Sequence, residues 1–189
     1  MNLTESDKAL LLSMARRTIA QCITREAGTV SLSQQELTDG IKQHCGAFVS
    51  IYVNGKLRGC IGTFSEEAPL YENVRQMAVS AATSDNRFSP VKYDELEIMQ
   101  LEISVLTPRK RIEDKQEIVL GRHGIYMIRG GNRGTLLPQV AVKQGWSVEE
   151  LLGNCAKYKA GIGWDGWKTA ELYTYEAIVF HTGADGPGC

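Results

Sequence analysis

No apolar run in this chain approaches the ~18 residues that a membrane-spanning helix needs. The opening Met1-Asn2-Leu3-Thr4-Glu5-Ser6-Asp7 is polar and acidic, without the basic and apolar regions of a secretory signal. These absences predict a cytoplasmic protein that does not enter a membrane. A basic excess is missing too: 21 Lys and Arg stand against 22 Asp and Glu, a net charge of −1. That balance argues against a general nucleic-acid binder, although a local basic pocket is compatible with it. The five cysteines (22, 45, 60, 155, 189) form no CxxC pair, and an odd count without a signal peptide predicts reduced thiols. The three histidines are scattered outside any zinc pattern, so no metal is expected. P-loop, dinucleotide fingerprint, serine elbow and paired glycosidase carboxylates are all absent, and no cofactor is expected.

What is there begins with Leu57-Arg58-Gly59-Cys60-Ile61-Gly62-Thr63-Phe64, just past Asn54-Gly55. An Asn-Gly pair between apolar residues is a strong hairpin signal and places Cys60 on the return strand. The flanking glycines admit close approach of another backbone or a ligand. Regular strand alternation points Arg58 and Cys60 to one face, where a guanidinium would favour the reactive thiolate. Cys60 is therefore a candidate nucleophile. The alternative is a small buried strand cysteine, a common fate of free thiols.

Around this hairpin the pattern alternates. Residues 4–26 read as a helix capped by Thr4 or Ser6, with Leu11, Met14, Ala15, Ile19, Cys22 and Ile23 on its apolar face. Ser33-Gln34-Gln35-Glu36 reads as a capping box opening a short helical turn. Ala47–Val53 reads as a strand, and Pro69 opens a second helix ending near Ser84-Asp85-Asn86. Leu101, Ile103 and Val105 alternate with polar residues in a strand, with a bulge near Met99 to absorb the opposite parity of Leu96 and Ile98. A second hairpin spans 125–129 and 134–137. Ser147-Val148-Glu149-Glu150 caps a helix to about Lys159, and residues 172–180 form a final strand. One domain of two lobes sharing a core is expected over residues 1–181, with a disordered tail over 182–189.

Three further segments carry chemistry-bearing residues. Asp85 and Arg87 lie in the loop after the second helix, as a site or as a local ion pair. Gly121-Arg122-His123-Gly124 places His123 ahead of a strand, where a neutral imidazole could take a proton from Cys60 if the two hairpins face each other. Arg133 sits in a glycine-rich turn suited to an anion, and Gln139 follows where it could orient a ligand.

The assembled motifs resemble the AMMECR domain family. The resemblance is carried by Leu57-Arg58-Gly59-Cys60-Ile61-Gly62, Asp85-x-Arg87-Phe88-x-Pro90, Leu101–Leu106, Gly121-Arg122-His123-Gly124, Leu136-Leu137-Pro138-Gln139-Val140 and Tyr175-Glu176-Ala177. It departs at Lys157-Tyr158-Lys159-Ala160-Gly161-Ile162, where Cys155 falls two residues before the family's cysteine. The resemblance implies an α+β fold: a barrel-like, mostly antiparallel sheet with flanking helices, built from two related halves. It also implies a cleft near Cys60 and, by analogy with the AmmeMemoRadiSam system, a Memo-like protein and a radical S-adenosylmethionine protein as partners. No settled reaction is implied. Two functions stand side by side. One is a thiol-dependent enzyme component: Cys60 as nucleophile, His123 as base, and Arg58, Asp85, Arg87, Arg133 and Gln139 binding a small polar or anionic substrate. The other is a non-catalytic module whose Arg-Gly-Cys-Ile-Gly segment shapes a docking cleft.

Overall fold

Thr4 starts the first helix, α1 (Glu5–Thr24), through a reciprocal cap in which its hydroxyl accepts from the Asp7 amide and the Asp7 carboxylate accepts from the Thr4 amide. The computed structural model describes residues 3–183. After the short α2 (Asp39–Lys42), strands β1 (Ala47–Val53) and β2 (Lys56–Thr63) join through Asn54 and Gly55. Both turn residues have positive φ, 51° and 72°, as a tight hairpin of this twist requires. Next come α3 (Leu70–Thr83), β3 (Met99–Leu106), β4 (Lys110–Ile112), β5 (Gly124–Arg129), β6 (Asn132–Leu136), α4 (Pro138–Gln144), α5 (Val148–Asn154), β7 (Glu171–Tyr175) and β8 (Ala177–His181).

The chain divides into two units, one running to Val105 and resuming at Ile178, the other spanning Leu106–Ala177. In the first, the sheet order is β2-β1-β3-β8. Ala47, Val49 and Ile51 of β1 and Leu101, Ile103 and Val105 of β3 are fully buried. They share one core with Leu11, Met14 and Ile19 of α1 and with Leu70, Val74 and Ala78 of α3. Period-two alternation turns Phe48, Ser50 and Tyr52 of β1, and Gln100, Glu102 and Ser104 of β3, to the opposite face.

The second unit has the order β4-β7-β5-β6. Its own core gathers Ile125 and Met127 of β5 with Leu151 and Leu152 of α5 and with Cys155 and Ala156. Ser147 caps α5 as its sequence promises, but the helix widens into a π turn over Cys155–Lys159 before the left-handed Gly161. Each unit thus repeats one connection. A hairpin is followed by helix, and the next strand returns beside the hairpin's first strand (β3 on β1, β7 on β5).

Several expectations change. The structure is α+β and its ladders β1–β2, β1–β3, β4–β7, β5–β6 and β5–β7 are antiparallel, but among the described residues the strands form two four-stranded sheets and no closed barrel. The single final strand is two strands, β7 and β8, in different sheets. Glu176 between them pairs with Thr107 instead of a strand: its carbonyl accepts the Thr107 amide at 2.9 Å and its amide donates to the Thr107 hydroxyl at 2.8 Å. No bulge forms at Met99, because β3 starts there and Arg16 of α1 holds the Leu96 and Met99 carbonyls. Ser33–Glu36 closes a hydrogen-bonded turn rather than a helix. Thr182, expected to be disordered, pairs with Leu101 at 2.9 and 3.0 Å, while 184–189 of the expected tail, Cys189 included, lie outside the described residues. Among the described residues no helix is long and apolar enough to cross a membrane.

Candidate functional site

The bulge in this fold falls at Arg58. Gly59 lies opposite Ile51 and Leu57 opposite Tyr52, so Arg58 is the extra residue of β2. Bulges re-aim side chains, and this one sends the Arg58 guanidinium to Glu95, with Nε–Oε1 at 2.7 Å and Nη2–Oε2 at 3.0 Å, and to the carbonyls of Ser89 and Pro90. Its donors are spent on bracing the 84–96 segment. Gly59 packs flat against α3: a Cβ there would meet the Ala81 carbonyl oxygen at 2.1 Å. Only glycine fits, and it seats the neighbouring cysteine at a fixed height on the sheet.

Cys60 is held through its backbone. β2 is an outer strand, so alternate residues turn their amide and carbonyl away from β1. At Cys60 both are taken by the loop after α3. The amide donates to Asp85 Oδ2 at 2.9 Å, and the carbonyl accepts from Arg87 Nη2 at 3.1 Å. Asp85 and Arg87 act together as a surrogate strand. They are joined by three more bonds: Arg87 Nε to Oδ1 at 2.9 Å, Nη2 to Oδ2 at 2.7 Å, and the Arg87 amide to Oδ1 at 3.2 Å. The Asp85 carboxyl is buried and held well below the usual carboxylate range, chiefly by the hydrogen bond from Arg87 against the opposing effect of burial. Arg87 is raised in turn, first by Asp85 and to a smaller degree by the nearby Cys60 side chain.

An outer pair whose backbone groups face away brings its side chains together. The Ser50 hydroxyl accordingly donates to Cys60 Sγ at 3.2 Å. Across β1, Ser50 lies opposite Glu102 of β3, so Cys60, Ser50 and Glu102 form one row on the face away from the core. In the next row the Phe48 ring covers Gly62, where a Cβ would come within 2.2 Å, and meets Phe64 edge to face at 5.3 Å. The sulfur therefore sits between an aromatic wall, a hydroxyl donor and a guanidinium. It is half-buried. The other described thiols differ. Burial pushes Cys45 up to about 11 and Cys155 up to about 12, and both are inaccessible. Cys22, expected in the core, is half-buried beside a cleft.

Of the residues singled out in sequence, Cys60, Asp85 and Arg87 come together in the first unit, with Arg58 in the same unit but bonded to Glu95. His123, Arg133 and Gln139 belong to the second unit. His123 Nδ1 accepts the Val119 amide at 3.1 Å, and its Nε2 lies 3.9 Å from Glu176. Arg133 is exposed on β6, and Gln139 is half-buried in the first turn of α4. Sequence reasoning missed Ser50, Glu102 and Glu95. The first two had a signal, since a serine in the otherwise apolar Ala47–Val53 run and a glutamate at alternate parity in β3 mark one polar face. Among the described residues no group of His, Cys, Asp and Glu is arranged to hold a metal ion.

Comparison with known proteins defines the class. The AMMECR1 family model matches residues 12–180, and this chain belongs to the AMMECR1 family. It is similar to a protein of Methanopyrus kandleri, 38% identical over 94% of this chain and 89% of that one. A protein of Methanothermobacter thermautotrophicus is 41% identical over 77% of this chain and 80% of the other. The crystal structure of an uncharacterized protein from Pyrococcus horikoshii superposes with a TM-score of 0.80 at 32% identity, covering 91% of this chain and 89% of that one.

Proposed function

We propose that this protein is a thiol-dependent enzyme component acting through Cys60 on a small polar or anionic substrate. The observation that supports it is the seating of the sulfur: its backbone gripped on both sides by Asp85 and Arg87, its Sγ accepting from Ser50. A hydroxyl donor and a guanidinium stand beside the sulfur, and both are groups that can bind a nucleophilic thiolate. Arg87, 56% exposed, has room to meet an anionic substrate group while staying paired to Asp85. Asp85 and Ser50 are positioning residues in this reading. His123 is not needed as a base, because its Nδ1 lone pair is occupied within its own loop.

A second reading rests on the aromatic pair Phe48–Phe64 beside the rigid clamp. There the same face of the sheet is a non-catalytic docking place, and the partners we propose are a Memo-like protein and a radical S-adenosylmethionine protein. Alkylation separates the two. With iodoacetamide below about pH 8, where an ordinary thiol is mostly protonated, Cys60 should react faster than Cys22, Cys45 and Cys155. Peptide mass spectrometry reads the order. An inert Cys60 in the folded protein, or a Cys60→Ser variant that keeps every complementing activity, removes the enzyme reading and leaves docking.

A further inference from the structure

The second unit carries a cavity that the Cys60 chemistry does not use. It encloses about 380 Å³, at the small end of the ~300–1,000 Å³ typical of small-molecule sites. Its charged side chains are Lys110, Glu117, Arg122 and Glu176, joined by the His123 imidazole and set on walls that include Ile112 and Tyr175. The glycines of the Gly121-Arg122-His123-Gly124 motif serve this lining. Gly121 takes a left-handed turn, φ 81°, and Gly124 lies under the Tyr175 ring, where a Cβ would come within 2.5 Å. Together they deliver Arg122 and His123 to the cavity. The Val119 amide fixes the imidazole tautomer by donating to Nδ1, so the Nε2 hydrogen faces the cavity. Nε2 lies 3.9 Å from Glu176 Oε1, beyond a direct hydrogen bond.

The charges alternate. Lys110 pairs with Glu117 at 3.2 Å, and Arg122 pairs with Glu176 at 2.8 Å. These side chains are 40–76% exposed, so parting a pair costs little, but a ligand of one sign is attracted by one half of each pair and repelled by the other. A ligand carrying both signs replaces both halves. The geometry points to a site for a small zwitterion of free α-amino-acid type, its carboxylate on Arg122, Lys110 and the His123 Nε2 hydrogen, its ammonium on Glu176 and Glu117. This site is independent of the Cys60 reading.

The test is nuclear magnetic resonance titration of the full ¹⁵N-labelled chain with free glycine and with L-glutamate. Acetate and methylammonium serve as single-charge probes. Saturable shifts are expected at the amides of residues 121–124 and 176 with the amino acids, and about three- to fivefold weaker binding of either single-charge probe. Arg122→Gln should weaken amino-acid binding by about tenfold or more. That side chain is 65% exposed, so the remaining spectrum reports an intact fold. Glu176→Gln should do the same, and Cys60→Ser should change nothing. Failure of both amino acids to give saturable shifts, acetate binding as tightly as they do, or an unaffected Arg122→Gln each reduces the cavity to a solvated ion-pair network and overturns the proposal.

Discussion

Replacing Asp85 with asparagine keeps the shape of the clamp on Cys60 and removes its charge. The Asp85 carboxyl is 3% exposed and accepts two bonds from the Arg87 guanidinium, one from the Arg87 amide and one from the Cys60 amide. Asparagine retains one acceptor but aims its NH₂ group at other donors. A hydrogen bond to a charged group contributes about 1.5–3 kcal/mol, and solvent recovers part of the share of the half-exposed Arg87. The net cost is about 2–3 kcal/mol, or roughly 4–12 °C in Tm for a chain of this size. Because the folded carboxyl titrates below its ordinary value, its contribution is present above the unfolded value of about 3.9 and is lost as pH falls below it. Thermal melts by circular dichroism should therefore show a constant gap between wild type and Asp85→Asn above about pH 6, narrowing below about pH 4. Arg87→Gln strands the buried carboxylate, so the double variant should lose less than the sum of the singles. A gap that widens in acid, or strict additivity, refutes the clamp.

Other outcomes follow from the same geometry. Ser50→Ala removes the O–H donor to the sulfur, worth about 1 kcal/mol, so Cys60 alkylation at fixed pH should slow about three- to fivefold; an unchanged or faster rate dismisses the hydroxyl. Gly59→Ala drives a methyl into the Ala81 carbonyl and should cost about 3 kcal/mol or more in urea unfolding. A variant as stable as wild type would show that β2 does not lie flat on α3.

Local signals carried much of this architecture. Thr4, Ser147 and Asn54-Gly55 act within four residues, and each does in the fold what its chemistry promises. Helix and strand phases over 5–24 and 47–53 follow directly from which residues bury. What stayed hidden depends on residues far apart in sequence. The parity argument that aimed Arg58 at Cys60 assumes an unbroken ladder. The bulge cancels it, and Arg87, 27 residues on from Cys60, takes the place beside the sulfur. The split at Glu176 is likewise invisible in a continuous β-rich run, because Thr107, 69 residues away, decides it. Cys60 itself was legible from two glycines and a turn; its neighbour Ser50 required the register.

The pairing of Thr107 with Glu176 means that the second unit departs from the chain and rejoins it at adjacent points. A nascent polypeptide leaving the ribosome therefore delivers the Cys60 sheet in instalments. β3 is translated early, its outer neighbour β8 only after all of residues 107–176. In the interval one side of β3 offers unpaired amides and carbonyls to any passing strand. The sheet that carries the thiol is completed by a strand made only after the second unit has been translated.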